Sequence, residues 1–446
     1  MNQLKIRSMS PLVSGTIILT LTGIVTRMIG FFYRIFLSRC FGEEGMGIYQ
    51  LIAPVLALSF SFCVAGIQTA ISKYVAMRKN ANHTQYTFQI LLSGTGLSLI
   101  LSIFFMYITY QYADTIACHI LLEKRCAPLL RIIALSIPFA SLHSCINGYF
   151  YGMKHAAVPA ATQLIEQIIR VGSVYLLLFH AQKTHSTLTI SCAVIGLVIG
   201  EICSMMISLF AVYIRFFPQR NQLQIPSMKI YCKSCKEIFS LALPLSANRI
   251  VLNILQSMEA IQIPNSLLKY GLTNSAALSI YGVLTGMALP LILFPSALTN
   301  SLAVMLLPTI SEADGIGNRK AIRHTVSKTL RYCIMLGVIC TAGFLFFGNI
   351  MGTFLFHNNS VGSFIQTLSF LCPFLYLSTT MGSILHGLGK TRITFCYSCI
   401  SLAIRLFFVF SMIPVLGMKG YLYGLLISQL VLTGLLYASL HQLKII

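Results

Sequence analysis

The chain has 446 residues, 56% hydrophobic and only 9% charged, with a mean hydropathy of +0.81. These values exclude an ordinary soluble domain and predict an all-α, multi-pass membrane protein, since a hydrocarbon core about 30 Å thick needs roughly 20 apolar residues per helical crossing. The 31 Lys and Arg against 10 Asp and Glu give +21, a balance that suggests nucleic acid in a soluble chain; here it belongs first to cytoplasmic loops, and no nucleic-acid partner is expected.

In chain order, apolar runs bounded by loop residues predict about twelve crossings. The first six run from Pro11 to Phe41, Gly47 to Met77, Thr84 to Thr109, Pro128 to Tyr151, Ala156 to Ala181 and Leu188 to Ile214. The second six run from Ile238 to Ile263, Ala276 to Leu307, Thr325 to Phe347, Phe364 to Leu385, Ile393 to Pro414 and Tyr421 to Leu440. No small-residue cleavage pattern ends the first run, so it is expected to stay in the mature chain. A basic stretch from Arg215 to Lys236, broken by Pro218 and Pro226, joins two expected six-helix bundles, 1–222 and 223–446.

With the N-terminus inside, nineteen basic residues fall on the cytoplasmic side, among them Lys5, Arg7, Arg78, Lys79, Arg220, Arg319, Arg323 and Lys328, against seven opposite. Both termini are therefore expected in the cytoplasm of a bacterial cell membrane. The remaining five arginines, Arg27, Arg34, Arg170, Arg249 and Arg405, fall inside helices.

The chain repeats itself. Pro138 and Phe139 open "PFASLHSCINGYFYGM", and Pro373 and Phe374 open "PFLYLSTTMGSILHGL" 235 residues later, the same offset that separates Arg170 from Arg405. More weakly, "GLVIGE" ending at Glu201 parallels "GLLISQ" ending at Gln429, and "GIY" at Tyr49 parallels "SIY" at Tyr281. Six crossings per half make the repeats parallel, an arrangement whose substrate sites usually lie between the halves.

An arginine at the bilayer centre costs about 2.5 to 3.5 kcal/mol on insertion scales, so five of them need protein, water or an anion around them. Arg27, Gly30 and Arg34 share one helical face, where the cations either line a cavity or extend along the helix toward the head groups. Glu166 stands one turn before Arg170, in the orientation that suits an ion pair. Arg249 lies mid-helix and Arg405 has no acidic neighbour in sequence, so each needs an anion from elsewhere; a diphosphate fits a guanidinium fork. The substrate-binding candidates are thus Arg27, Arg34, Arg170, Arg249 and Arg405. Glu166, Glu201 and Glu259 are candidates for coupling to protons or sodium, or for satisfied structural carboxylates. Pro54, Pro138, Pro290, Pro295 and Pro373 are expected to interrupt helices, as hinges or as static kinks.

Enzymatic chemistry finds little support. "HGLGKT", His386 to Thr391, imitates a nucleotide-binding loop, but that loop needs Gly where Ile384 stands and a preceding strand. There is no HExxH, and the loops offer few carboxylates for glycosyl transfer. The 14 cysteines lie mostly in apolar runs, and the single CxxC, Cys232 and Cys235, lacks the second ligand pair of a zinc site. No catalytic residue, metal site or cofactor is expected, apart from coupling to the membrane potential, sodium or protons.

Longer strings carry more. "RMIGFFYRIFLSRCFGEEGMGIYQL" (Arg27 to Leu51), "AGIQTAISKYVA" (Ala65 to Ala76) and "TNSLAVMLLPTISEA" (Thr299 to Ala313) resemble the stage V sporulation protein B family. That family lies in the multidrug, oligosaccharidyl-lipid and polysaccharide exporter superfamily. The resemblance implies a two-bundle flippase for polyprenyl-diphosphate-linked sugars, such as peptidoglycan, spore-cortex or related envelope precursors, working by alternating access beside envelope-synthesis proteins. The alternative is a cation-coupled multidrug exporter of the same superfamily. The chain is also similar to lipid II flippases, whose first helix carries an arginine placed like Arg27 and then an Arg-Asp pair; Tyr33 and Arg34 stand at the latter positions here.

Overall fold

The computed structural model describes residues 11–77, 84–183, 189–218, 227–316 and 318–445. Lys5, Arg7, Arg78, Lys79, Arg220 and Pro226, used above for topology and the linker, lie outside them.

Among the described residues the only regular structure is helix. The chain starts with α1 (Pro11–Leu51), α2 (Ala53–Phe60), a π-helical segment Ser61–Ala65 and α3 (Gly66–Met77). It continues with α4 (Thr84–Gln111), α5 (Ala113–Thr115), α6 (Cys126–Ala134), α7 (Ser136–Gly152), α8 (Ala157–Lys183) and α9 (Ser191–Phe216). Then come α10 (Met228–Lys269), α11 (Asn274–Gly282), a second π-helical segment Val283–Ala288, α12 (Leu289–Leu293) and α13 (Ser296–Gly315). The chain closes with α14 (Arg319–Phe356), α15 (Asn359–Ser369), α16 (Cys372–Gly387), α17 (Thr391–Ser411), α18 (Ile413–Leu416) and α19 (Met418–Gln442).

Among the described residues nine helical runs are long and apolar enough to cross a bilayer, or eleven when two bent pairs each count as one. The first run, Ile17–Met77, is 61 residues long and takes in the first two expected segments, so a figure of about twelve is approximate. No loop separates those segments. The helix turns at Gly42, whose φ of 69° a glycine adopts at little cost, and resumes at once. The prolines also sit differently from expectation: Pro54, Pro290 and Pro373 fall in the first turns of α2, α12 and α16, where a missing N–H breaks no bond.

Contacts divide the chain into two units, Met1–Ile29 with Ile52–Ile254, and Gly30–Leu51 with Leu255–Ile446. The division departs from halves at 1–222 and 223–446, because α1 and α10 each pass from one unit into the other. At 42 residues α10 is about 63 Å long, far more than one bilayer core, so its two ends pack independently.

In the first unit α7 lies against α3, α4 and α9. Cys63, Ile67, Ile71, Ile90, Ile146, Tyr149 and Phe216 fill the space between them. Gly148 and Gly152 let α3 close on α7: a β-carbon at either would stand 2.6 Å from the carbonyl oxygen of Gln68 or Ser72. Small residues at a helix interface are what membrane packing requires, since lipid gives helices no hydrophobic reason to associate.

In the second unit α16 takes the same central part, against α13, α14 and α19, around Ile310, Val326, Met381, Ile384, Leu385 and Leu440. The C-terminal half of α1 packs on α11 through Gly47 and Gly282; a β-carbon at Gly47 would lie 2.1 Å from the Leu278 carbonyl oxygen. Just before it the Glu43 carboxylate accepts from the Asn358 amide, which in turn caps α15. Arg39 donates to the carbonyls of Phe354 and Leu355 at the end of α14. Much of the "RCFGEEGMG" string is thus an anchor.

The repeat is legible in the backbone. Each central helix follows a bend, of 41° between α6 and α7 and 55° between α15 and α16. Each ends in the same turn: the N–H groups of Lys154 and His155 donate to Tyr151 and Phe150, and those of Gly389 and Lys390 to His386 and Leu385. Lys154 and Gly389, 235 residues apart, both take positive φ, 59° and 73°. "HGLGKT" is that turn, a helix C-cap rather than a phosphate cradle.

Candidate functional site

The five intramembrane arginines separate by partner. Arg27 and Arg249 are exposed, Arg34 is half-buried, and among the described residues none of the three forms an ion pair with a carboxylate. Arg249 stands midway along α10. Arg170 and Arg405 are paired.

Arg170 belongs to a four-residue cluster in the first unit. Its guanidinium bonds Glu166 one turn earlier on α8 and lies 3.6 Å from a Glu201 oxygen on α9. The other Glu201 oxygen is 2.9 Å from His143 Nε2 on α7. Three helices therefore bring four ionisable groups together, with side chains only 12–19% exposed. The glycines of "GLVIGE" make this possible: a β-carbon at Gly196 would meet the Val174 side chain at 2.1 Å, and Gly200 comes within 3.2 Å of the Glu166 carbonyl oxygen. On its far side the His143 ring meets Ser204 Oγ at 3.3 Å and Asn147 Nδ2 at 3.5 Å. Thr162 donates to Asn147 Oδ1, which turns the amide N–H groups toward the ring.

One ligand atom each from His143, Glu166 and Glu201 falls within 4.8 Å of the others, a spacing that suits a small cation. The Arg170 charge among them opposes a divalent ion. With both carboxylates ionised, Arg170 positive and His143 neutral, the cluster carries one net negative charge.

The second unit supplies the anion that Arg405 lacks in sequence. Arg405 Nη2 lies 3.3 Å from Glu259 Oε2, and the Tyr421 hydroxyl donates to Glu259 Oε1 at 2.8 Å. Glu259 is buried and both its oxygens are engaged, so this pair is balanced. The repeat sharpens the contrast. The position matching His143 at the 235-residue offset is Ser378, which accepts from Gln429, the match of Glu201, at 2.6 Å. The position matching Glu166 is Ser401, whose hydroxyl donates to the Ser428 carbonyl. The same helix contacts thus close without charge in one unit and with three ionisable side chains in the other.

Sequence reasoning paired Arg170 with Glu166 but missed His143 and Tyr421. A signal for His143 existed: it sits inside the repeated Pro-Phe segment, opposite a serine in the second copy.

Comparison of folds gives the class. The chain superposes on the lipid II flippase MurJ in its inward closed conformation with a TM-score of 0.74 at 16% identity, covering 96% of this chain and 87% of that one. It superposes on the MATE multidrug transporter DinF-BH with a TM-score of 0.70 at 15% identity, over 99% and 97%. This is the fold of the MOP superfamily of multi-pass membrane transporters and flippases.

Within that class the chain belongs to the polysaccharide biosynthesis protein family, which matches residues 12–314. It is 27% identical over 434 residues to stage V sporulation protein B of Bacillus subtilis strain 168, covering 95% of this chain and 82% of that protein.

Proposed function

We propose that the chain is a flippase moving polyprenyl-diphosphate-linked saccharides across the cell membrane, with both termini on the cytoplasmic side. The observation that carries this reading is the unpaired state of Arg27, Arg34 and Arg249 beside the paired state of Arg170 and Arg405. A cation without a protein counter-ion at membrane depth is costly, and its cost falls when the cargo brings the anion. A diphosphate does so, and two parallel guanidinium donors match its oxygens better than an ammonium would. Family membership and the likeness to a lipid II flippase support the same cargo class, with peptidoglycan, spore-cortex or related envelope precursors as its members. Energy enters through the membrane potential or through ion exchange at Glu166, Glu201 or Glu259.

A multidrug exporter of the same superfamily is the competing reading, favoured by the match to a MATE multidrug transporter. Unpaired arginines oppose it, because a cationic cargo would add to their charge. The test is reconstitution into vesicles with three fluorescent probes: a lipid-diphosphate sugar, a neutral lipid and a cationic dye. The flippase reading expects leaflet exchange of the first only. Movement of the dye alone would replace it with the exporter reading.

A further inference from the structure

We propose that His143 and Glu201 form a proton-exchange site in the first unit, with Arg170 and Glu166 as its fixed counter-charges. The proposal deepens the transport reading above by naming the coupling ion and where it binds.

The argument begins with charge. Glu166 and Glu201 against Arg170 leave one excess negative charge in a cluster 12–19% exposed, enough for water to reach and too little for water to screen well. A proton on His143 brings the cluster to neutrality. The charged groups facing the ring are Glu201 from α9 and, behind it, Arg170 and Glu166 from α8; Ser204 from α9 and Asn147 from α7 are its neutral neighbours.

The hydrogen bonds then fit both protonation states. In either state Nε2–H donates to Glu201 at 2.9 Å. In the neutral ring Nδ1 accepts, from the Ser204 hydroxyl or the Asn147 amide. In the imidazolium Nδ1–H donates instead, and the Ser204 oxygen at 3.3 Å accepts it by rotating its own hydrogen away. The proton passes between water and Nδ1 with no heavy atom displaced, and Arg170, already in contact with Glu166 and 3.6 Å from Glu201, shifts toward whichever carboxylate is left uncompensated.

The internal repeat excludes packing as the reason for these charges. Ser378 and Gln429 make the matching contact at 2.6 Å without a titratable group, and Ser401 replaces Glu166. The architecture closes without ions in one unit, so the ions in the other serve something else. A histidine is the side chain whose charge changes between about pH 5 and 8.

The test uses the full chain in vesicles on a solid-supported membrane, reading the charge displaced when pH is stepped from about 8 to 5. Protonation of a group inside the membrane displaces charge across it; protonation of an exposed histidine near a helix end, such as His441, does not. Wild type and His441→Ser are expected to give equal transients. Loss of at least four-fifths of the signal is expected in the double variant His143→Ser, Glu201→Gln, which installs the pair already packed in the second unit. The single variant Glu201→Gln, closest in shape to wild type, should lose most of it and guards against misfolding of the double. A full transient in both variants overturns the proposal, as does a transient evoked by a sodium step at constant pH. The readout needs no cargo, so failure of the lipid-diphosphate reading would appear separately, as absent leaflet exchange with the transient intact.

Discussion

Glu259→Gln removes the charge from a pair that the structure describes closely. Its carboxylate oxygens lie 3.3 Å from Arg405 and 2.8 Å from the Tyr421 hydroxyl, with side-chain exposures of 7% for Glu259 and 24% for Arg405. Stranding one member of a buried pair costs about 3 to 5 kcal/mol. The glutamine still accepts from Tyr421 and the arginine keeps some access to water, which sets the expectation at the lower end, about 3 kcal/mol. Arg405→Gln should cost a similar amount, since it strands the carboxylate. The double variant leaves no buried charge, so it should lose about as much as either single and not their sum, a coupling of roughly 2 to 3 kcal/mol. Reversible unfolding in mixed detergent micelles, with all four proteins in one lipid-to-detergent ratio, measures the cycle. Strict additivity would show that the two side chains do not stabilise one another and would refute the reading of Arg405 as a balanced structural cation.

Arg27→Ala should reduce leaflet exchange of a lipid-diphosphate sugar at least tenfold at matched protein content while insertion is kept, because removing the cation relieves about 2.5 to 3.5 kcal/mol of insertion cost; Arg27→Lys should restore it only in part, and full activity of the alanine variant would count against diphosphate recognition. Gly47→Val should destabilise the second unit by about 1 to 3 kcal/mol or more, since its β-carbon would begin 2.1 Å from the Leu278 carbonyl oxygen; an unchanged melting temperature would contradict that packing. A cytoplasm-dependent reporter fused after Ile446 should be active, and activity of an export-dependent reporter at the same point would reverse the topology.

Hydropathy alone made the helices legible, since lipid permits the backbone little else. Their breaks were less so. Gly42 and the bend before Pro138 depend on tertiary approach: a glycine turning within a helix and a proline at a first turn look the same in sequence as a loop and a kink. The Arg170–Glu166 pair was readable because four residues on one helix fix their geometry. Arg405 and Glu259, 146 residues apart, meet only through folding, and nothing local announces it. His143 fell between these cases: its position in the repeat marked it, but its contact with Glu201 needed the glycines of α9 to bring two helices together. The unpaired arginines were legible as charges, and the structure adds which of them lack a partner.

The central claim is that those unpaired cations exist for a diphosphate. Its most direct measurement is equilibrium binding of a short polyprenyl diphosphate to the detergent-solubilised chain, with the corresponding polyprenol as the neutral control. The account predicts binding of the diphosphate at least a hundredfold tighter than of the alcohol, weakened about tenfold or more by each of Arg27→Ala and Arg249→Ala, as expected for loss of about 1.4 kcal/mol or more per charged contact. Equal affinity for the diphosphate and the alcohol, or affinity untouched by both substitutions, would contradict it.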